Sequence, residues 1–180
     1  MHAAQALFLV LLAADSAQVP SDPGLYYLTP KGLTRVEGRA VTVAQSGSKL
    51  PPIPLKGALP MGNSKVKAAI LGEHAEQKVV STPVFYYRVT AGGEAAGAGD
   101  LVLVKLKAKH GRREFEASGQ GGWQASSGIS LKSQVKFYPK QVESGVYKLV
   151  PAADLDQGEY GFYQYRGRDL PGFLYDFCVE

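Results

Sequence analysis

The chain has 180 residues, enough for one domain with its own hydrophobic core. Apolar residues make up 45% and charged residues 20%, close to the averages of globular proteins, which excludes wholesale disorder. A formal net charge of +4 is too small to indicate nucleic acid as the partner. The 21 glycines, 11 prolines and 10 tyrosines favour turns and strands over helices.

The N-terminal segment has the form of a signal peptide. The apolar run from Ala6 to Ala14 has the length of a signal-peptide core and is too short to span a bilayer. The small residues Ala14 and Ser16 favour cleavage after Ser16. This segment lacks the usual Lys or Arg, so a buried N-terminal strand or helix is the alternative. We expect residues 1–16 to be a signal peptide and the protein to be secreted or periplasmic, without a membrane-spanning segment after cleavage.

Three regions follow in chain order. Residues 22–43 contain two strand-like runs around a Pro30–Gly32 turn and predict a β-hairpin. Residues 44–64 are rich in proline and predict an extended surface connection. Residues 65–180 are predicted to form the core of the sandwich. Within it, residues 65–80 fit either a helix or two strands around a turn at Gly72, and strands are favoured because the neighbouring segments are strands.

The clearest hairpin spans residues 101–117. On its first strand Val102, Val104, Leu106 and Ala108 share one face and lysines lie on the other, and this period of two predicts one face in the core and one in water. The lysines of the solvent face are Lys105, Lys107 and Lys109. Acidic residues on the returning strand are placed where cross-strand lysine partners would lie.

The remaining segments also read as strands and loops. A Gly/Ser-rich loop over residues 118–128 carries the only tryptophan, Trp123. Residues 129–137 alternate between apolar and polar side chains, and Pro139 is expected to end that strand. Further strands are predicted over residues 145–151 and 173–179, the last with one aromatic face.

Residues 155–165 predict a tyrosine corner, a turn at which one sheet of a sandwich hands over to the other. Leu155 and Gly158 precede Tyr160, whose hydroxyl can bond back to the turn while its ring enters the core. The shorter fragment Gly24–Tyr26 is weak evidence for a corner by itself. The overall prediction is an all-β fold, an immunoglobulin-like antiparallel β-sandwich with an N-terminal β-hairpin extension, forming a single domain over residues 22–180.

Several segments resemble uncharacterised secreted bacterial β-rich proteins with an immunoglobulin-like fold. The segments that carry the resemblance are Gly145-Val146-Tyr147-Lys148, Pro151, Leu155, Gly158-Glu159-Tyr160-Gly161-Phe162, Leu174-Tyr175-Asp176-Phe177, Leu101-Val102-Leu103-Val104-Lys105-Leu106 and Arg112-Arg113-Glu114. It covers about the last 100 residues. The resemblance implies export and a β-sandwich, and it carries over no activity and no functional residues.

No catalytic pattern emerges from the sequence. His74 and His110 both lie beside glycine in predicted turns, so no Ser or Cys nucleophile has an obvious base. Their isolation also leaves no transition-metal spacing, and we predict no cofactor and no metal. Cys178, the only cysteine, is flanked by acids and is either an inert thiol or a site of intermolecular pairing in a dimer. A hydrolase would need paired carboxylates that the sequence does not reveal.

Two surface features favour a binding function without an enzyme activity. The first is a basic strand face suited to an acidic polysaccharide or a lipid headgroup, formed by Lys105, Lys107, Lys109, Arg112 and Arg113 with Lys132 and Lys136 nearby. The second is Trp123 with Tyr138, which could stack on a sugar ring. The predicted role is a binding or structural one at the cell envelope or outside the cell, with a polysaccharide or another protein as partner and no nucleic acid. A carbohydrate- or acidic-polymer-binding module is the alternative, followed by a hydrolase.

Overall fold

A computed structural model describes residues 18–45, 66–89, 97–117, 129–164 and 172–180. The predicted signal peptide, most of the Pro-rich connection and the loop with Trp123 lie outside these ranges. The described residues form fourteen β-strands, with one short 3-10 helix over Ala98–Asp100. The strands of the first half are β1 (Gly24–Thr29), β2 (Gly32–Val36), β3 (Gly38–Ala40), β4 (Thr42–Gln45), β5 (Val66–Leu71), β6 (Lys78–Val79) and β7 (Phe85–Arg88). Those of the second half are β8 (Leu101–Lys109), β9 (Arg112–Ala117), β10 (Gln134–Val135), β11 (Phe137–Glu143), β12 (Val146–Pro151), β13 (Gly158–Gln164) and β14 (Phe173–Val179).

The strands form two sheets, which confirms the predicted all-β, largely antiparallel sandwich. The first sheet has five strands in the order β11-β12-β7-β1-β2. The second has nine, in the order β3-β14-β13-β8-β9-β5-β4, with β10 on β8 and β6 on β14. Among the strand pairs of the described residues, only β6–β14 is parallel. The immunoglobulin-like sandwich is consistent with this arrangement.

Aromatic side chains from both sheets meet in the main core. Phe85 of the first sheet lies 4.8 Å from Phe177 and 5.3 Å from Phe162 of the second, between ring centroids. All three rings are fully buried. These close contacts, one edge-on and one tilted, join the sheets through apolar burial, the main stabilising contribution to the fold.

The second sheet closes on itself. β3 pairs with β14 at one end of the strand order, and β4 pairs with β5 at the other, although only Val41 separates β3 from β4 in the chain. The enclosed side holds a second apolar cluster. Its buried members are Val41, Ala68, Ile70, Val104, Leu106, Phe115, Ile129, Tyr163 and Leu174.

This closure corrects the prediction for the hairpin at residues 101–117. The first half of β8 is buried on both faces, because Leu103 lies in the sandwich core while Val104 lies in the enclosed cluster. One face is exposed only from Lys105 onwards. Strict alternation predicts a one-sided strand, but a strand between two cores loses its exposed face.

Of three other strand predictions, one is confirmed and two are wrong. The described part of the segment 65–80 contains strands β5 and β6, as favoured. The N-terminal hairpin is not an extension, because β1 also pairs with β7 inside the five-stranded sheet. Pro139 does not end a strand but lies within β11, an edge strand of the five-stranded sheet. An edge position tolerates proline because no second neighbour needs its missing N–H.

Candidate functional site

The predicted tyrosine corner is present at the start of β13. The Tyr160 hydroxyl donates a hydrogen bond to the carbonyl of Asp156 at 3.0 Å, and Gly158 has a φ of +148°, which a side chain would strain. Leu155 is buried beside Tyr160 in the main core. These contacts define the local structure around Leu155, Gly158 and Tyr160.

The same local structure occurs a second time, where the sequence evidence was weak. The Tyr26 hydroxyl donates to the carbonyl of Asp22 at 2.8 Å, and Gly24 has a φ of +149°. The shared pattern is Asp-x-Gly-x-Tyr, with the tyrosine bonding to the residue four positions earlier. The full five-residue pattern, rather than Gly-x-Tyr alone, was the available signal.

The corner supports the first lysine of the exposed face. The Lys105 ammonium lies 5.5 Å from the centroid of the Tyr160 ring and 3.6 Å from the Asp156 carboxylate. The Tyr160 hydroxyl, with a smaller contribution from Asp156, raises the pKa of Lys105 above its ordinary value. Lys105 is therefore a charged group that its surroundings hold in place.

The next two lysines continue the same face of β8. Lys107 and Lys109 are exposed, and in the described residues no carboxylate lies within ion-pair distance of either ammonium. In the strand register Lys107 is opposite Glu114 and Lys109 is opposite Arg112 on β9. The lysine row therefore borders an arginine and a carboxylate of the neighbouring strand.

Glu114 anchors two further cations beside the row. Its side chain is only 4% exposed, and it accepts hydrogen bonds from Lys67 at 2.8 Å and from Arg112 Nε at 2.6 Å. Burial acts to raise the pKa of Glu114, but the hydrogen bonds from Lys67 and Arg112 outweigh burial and lower it. We call the surface around it the basic face; its cations are Lys67, Lys105, Lys107, Lys109 and Arg112.

Arg113 does not belong to the basic face, contrary to the sequence prediction. Its side chain is fully buried, because alternation along β9 turns it to the enclosed side of the sheet. Its Nη1 lies 3.1 Å from Glu159 and 2.7 Å from Asp176, and its Nε donates to the carbonyl of Gly72. Arg113, Glu159 and Asp176 form the buried ionic cluster.

Surface residues extend the buried ionic cluster. Glu159 also accepts the backbone N–H of Ala75 at 2.9 Å and lies 3.1 Å from Nδ1 of the exposed His74. Asp176 lies 3.2 Å from Nε of Arg39. Sequence reasoning missed this cluster, because its members lie on β9, β13 and β14 and only the sheet register joins them.

Among the described residues, the two buried carboxylates of this cluster do not line the same groove. Asp176 borders a groove of about 170 Å³, while Glu159 does not. The groove is lined by Arg35, Glu37, Arg39, Glu76, Gln77 and Asp176. That volume is below the roughly 300–1,000 Å³ of typical ligand pockets. The guanidinium of Arg113 lies against both carboxylates, so they act together as its counter-charges.

The second predicted surface feature is only partly described. Tyr138 is 56% exposed, and the Lys136 ammonium lies 5.5 Å from its ring centroid. Lys132 is exposed in the turn before β10. Trp123 lies outside the described residues, so its pairing with Tyr138 stays a prediction.

Cys178 is half-buried on β14. Burial, with added effects from Glu159 and Glu180, raises the pKa of its thiol. This setting is that of a weakly reactive thiol.

Comparisons with protein-family models, curated proteins and solved structures found no match. Export and the resemblance to secreted bacterial proteins therefore stay expectations. Within the described ranges, no group of three or more His, Cys, Asp or Glu side chains could hold a metal ion. No helix among the described residues has the length and apolar character needed to cross a membrane.

Proposed function

We propose that the protein is exported and acts by binding, without catalysis, at the cell envelope or outside the cell. Its ligand is an acidic polysaccharide, and the basic face binds it. The observation that carries this proposal is the imbalance of charge on that face. Its five cations, Lys67, Lys105, Lys107, Lys109 and Arg112, share the face with two carboxylates, the buried Glu114 and Glu116, which lies opposite Lys67.

The electrostatics of this face support a polyanion. Asp156, which lies beside Lys105, is 89% exposed and is a weak counter-charge in water. Lys107 and Lys109 have no carboxylate partner within the described part of the chain, so an incoming anion need not displace one. A surface with an excess of one charge attracts the opposite charge, and salt screens that attraction.

The arrangement of the carboxylates favours binding over hydrolysis. A glycoside hydrolase needs one carboxylic acid free to protonate the leaving group and a second facing the same sugar. Glu159 and Asp176 are close, but Arg113 contacts both of them. These two buried carboxylates are therefore not available as the catalytic pair of a hydrolase.

The test is binding of the mature chain to immobilised polygalacturonate, with neutral dextran as the reference polymer. We expect binding to polygalacturonate only, and a steep loss between about 50 mM and 500 mM salt as screening grows. Equal retention on both polymers, or no binding at low salt, would refute the proposal. Fractionation of cells expressing the full chain tests export, which requires the mature form outside the cytoplasm.

A second candidate function rests on the exposure of Tyr138. An exposed aromatic ring beside an ammonium group can stack on a sugar while the lysine bonds to its polar groups. A glycan array compares the wild type with Tyr138→Ala and Trp123→Ala. Loss of a neutral-glycan signal in these variants, with polygalacturonate binding unchanged, would support a separate carbohydrate site.

A further inference from the structure

The three lysines of β8 form a regular row. Lys105, Lys107 and Lys109 occupy alternate positions of one continuous strand, so their side chains leave the same face. A rise of about 3.3 Å per residue places neighbouring lysines about 7 Å apart along the strand. The row is therefore a line of charges rather than a compact cluster. A linear ligand that lies along the strand can contact all three lysines at once.

Three contacts hold the cations around this row in place. Tyr160 lies under the Lys105 ammonium, and Glu114 binds both Arg112 and Lys67. Side chains already held in position lose less conformational entropy when a ligand arrives. The face is thus partly ordered before binding, on the β9 side by Glu114 and at one end by Tyr160.

The composition of the face selects among polyanions. The described residues that form it include no exposed aromatic ring, which a single-stranded nucleic acid would use for base stacking. Leu71, opposite Arg112, is an exposed apolar neighbour of the face, and isolated exposed leucines are ordinary on a protein surface. An extended polysaccharide with regularly spaced carboxylates needs neither feature.

We propose that a linear polyuronate lies along β8, with successive carboxylates bound by Lys105, Lys107 and Lys109. This inference rests on the proposed function and adds the direction and minimum length of the ligand. Glu114 is a positioning residue, because it acts through Arg112 and Lys67 without meeting the ligand itself. At least three carboxylates must bind together for full affinity.

The first experiment compares galacturonate oligomers of one, three and about ten units, by competition against labelled polygalacturonate. The wild type should bind the monomer too weakly to measure and gain affinity steeply up to the length that covers the row. Beyond that length only a shallow statistical gain should remain. The inference would be overturned if the affinity, divided by the number of carboxylates in the oligomer, were the same at every length.

Matched charge variants then locate the ligand. The double variant Lys107→Gln/Lys109→Gln removes two charges from the row, and Lys31→Gln/Lys140→Gln removes two exposed charges, one in the turn between β1 and β2 and one on β11. We expect about a tenfold or greater loss of polymer affinity for the row variant and less than a threefold loss for the control. Equal losses would show a response to net charge alone and would overturn the inference.

Glu114→Gln separates positioning from charge. If net charge alone mattered, removing this carboxylate would tighten binding, as the control Glu37→Gln should by a small factor. Release of Arg112 and Lys67 should instead leave the affinity of Glu114→Gln below that of Glu37→Gln. The opposite order, in variants whose melting curves show folded protein, would remove the positioning role.

The outcomes keep the two proposals apart. No binding of any polyuronate by the wild type refutes the proposed function, and this inference falls with it. Polymer binding without length dependence or without the difference between the double variants refutes the inference only. Tighter binding to single-stranded DNA or to vesicles with 30% anionic lipid than to polygalacturonate assigns the face to another ligand and refutes both.

Discussion

Two adjacent arginines of β9 both pair with carboxylates, one at the surface and the other inside the fold. Arg112 lies on the basic face, half-exposed, and shares Glu114 with Lys67. Arg113 points to the enclosed side of the sheet and has Glu159 and Asp176 as partners in full burial. The first cluster has an excess of cations at the surface, and the second surrounds one cation with carboxylates inside the fold. Burial, set by strand alternation, assigns the same residue type to binding in one case and to structure in the other.

The largest expected difference comes from removing each arginine in turn. Arg113→Met should lower the free energy of unfolding by about 3–5 kcal/mol, because Glu159 and Asp176 would lose their buried cation and the partly exposed Arg39 contacts only Asp176. Arg112→Met should lower it by about 1 kcal/mol or less, because the residue is half-exposed and Glu114 keeps Lys67. Urea denaturation of both variants measures the difference.

These two variants share the same strand, the same substitution and the same change of charge, so each controls for the other. Similar losses for both would mean that burial does not separate the clusters. Polymer binding should respond in the opposite order. Arg112→Met should weaken it, and folded Arg113→Met should not.

The tyrosine corner gives a smaller effect, on stability alone. Tyr160→Phe removes the donor to the Asp156 carbonyl and should cost about 1 kcal/mol, because the hydroxyl makes this bond beside the core. The ring that lies under Lys105 remains, so polygalacturonate affinity should stay within twofold of the wild type. Tyr26→Phe is the matched control and should cost a similar amount without touching the basic face. An unchanged melting temperature in Tyr160→Phe would contradict the role of its hydroxyl.

Acid should weaken the stabilising contribution of Glu114. Its pKa is lowered in the folded protein, so this stabilisation is present above the unfolded pKa of about 4.3 and is lost as the pH falls through the lower folded value. The stability gap between the wild type and Glu114→Gln should be largest at neutral pH and should shrink below about pH 4. Melting temperatures of both proteins from pH 7 to pH 3 measure the gap, and other carboxylates cancel in the difference. A constant gap would contradict the assignment.

Local patterns predicted the elements of this fold well. The alternation of β8 placed Lys105, Lys107 and Lys109 on one face, and Leu155–Tyr160 marked the corner, because both signals depend on neighbouring residues. The same locality explains the misses. Arg113 and Lys107 look equally exposed in the sequence, since nothing in residues 101–117 reveals that the sheet closes over one side of β9.

The buried ionic cluster shows more clearly what local sequence patterns cannot predict. Glu159 and Asp176 are separated from Arg113 by 46 or more positions, and only the registers of three strands bring them together. A search for paired carboxylates in the sequence has no local spacing to use. The pairing depends on closure of the sheet, which is a property of the whole chain.

The smallest expected effect concerns Cys178, whose pKa is influenced by Glu159 of the buried ionic cluster. Burial and the nearby carboxylates raise the pKa of its thiol, so little thiolate should form at neutral pH. We expect native Cys178 to react with a disulfide reagent at pH 7.5 several-fold more slowly than the same protein in urea, where both effects are lost. Glu180→Gln, which removes an exposed and weaker contributor, should change the native rate only slightly. A native rate equal to the rate in urea would show that neither burial nor Glu159 protects the thiol, and a disulfide-linked dimer would then be expected under oxidising conditions.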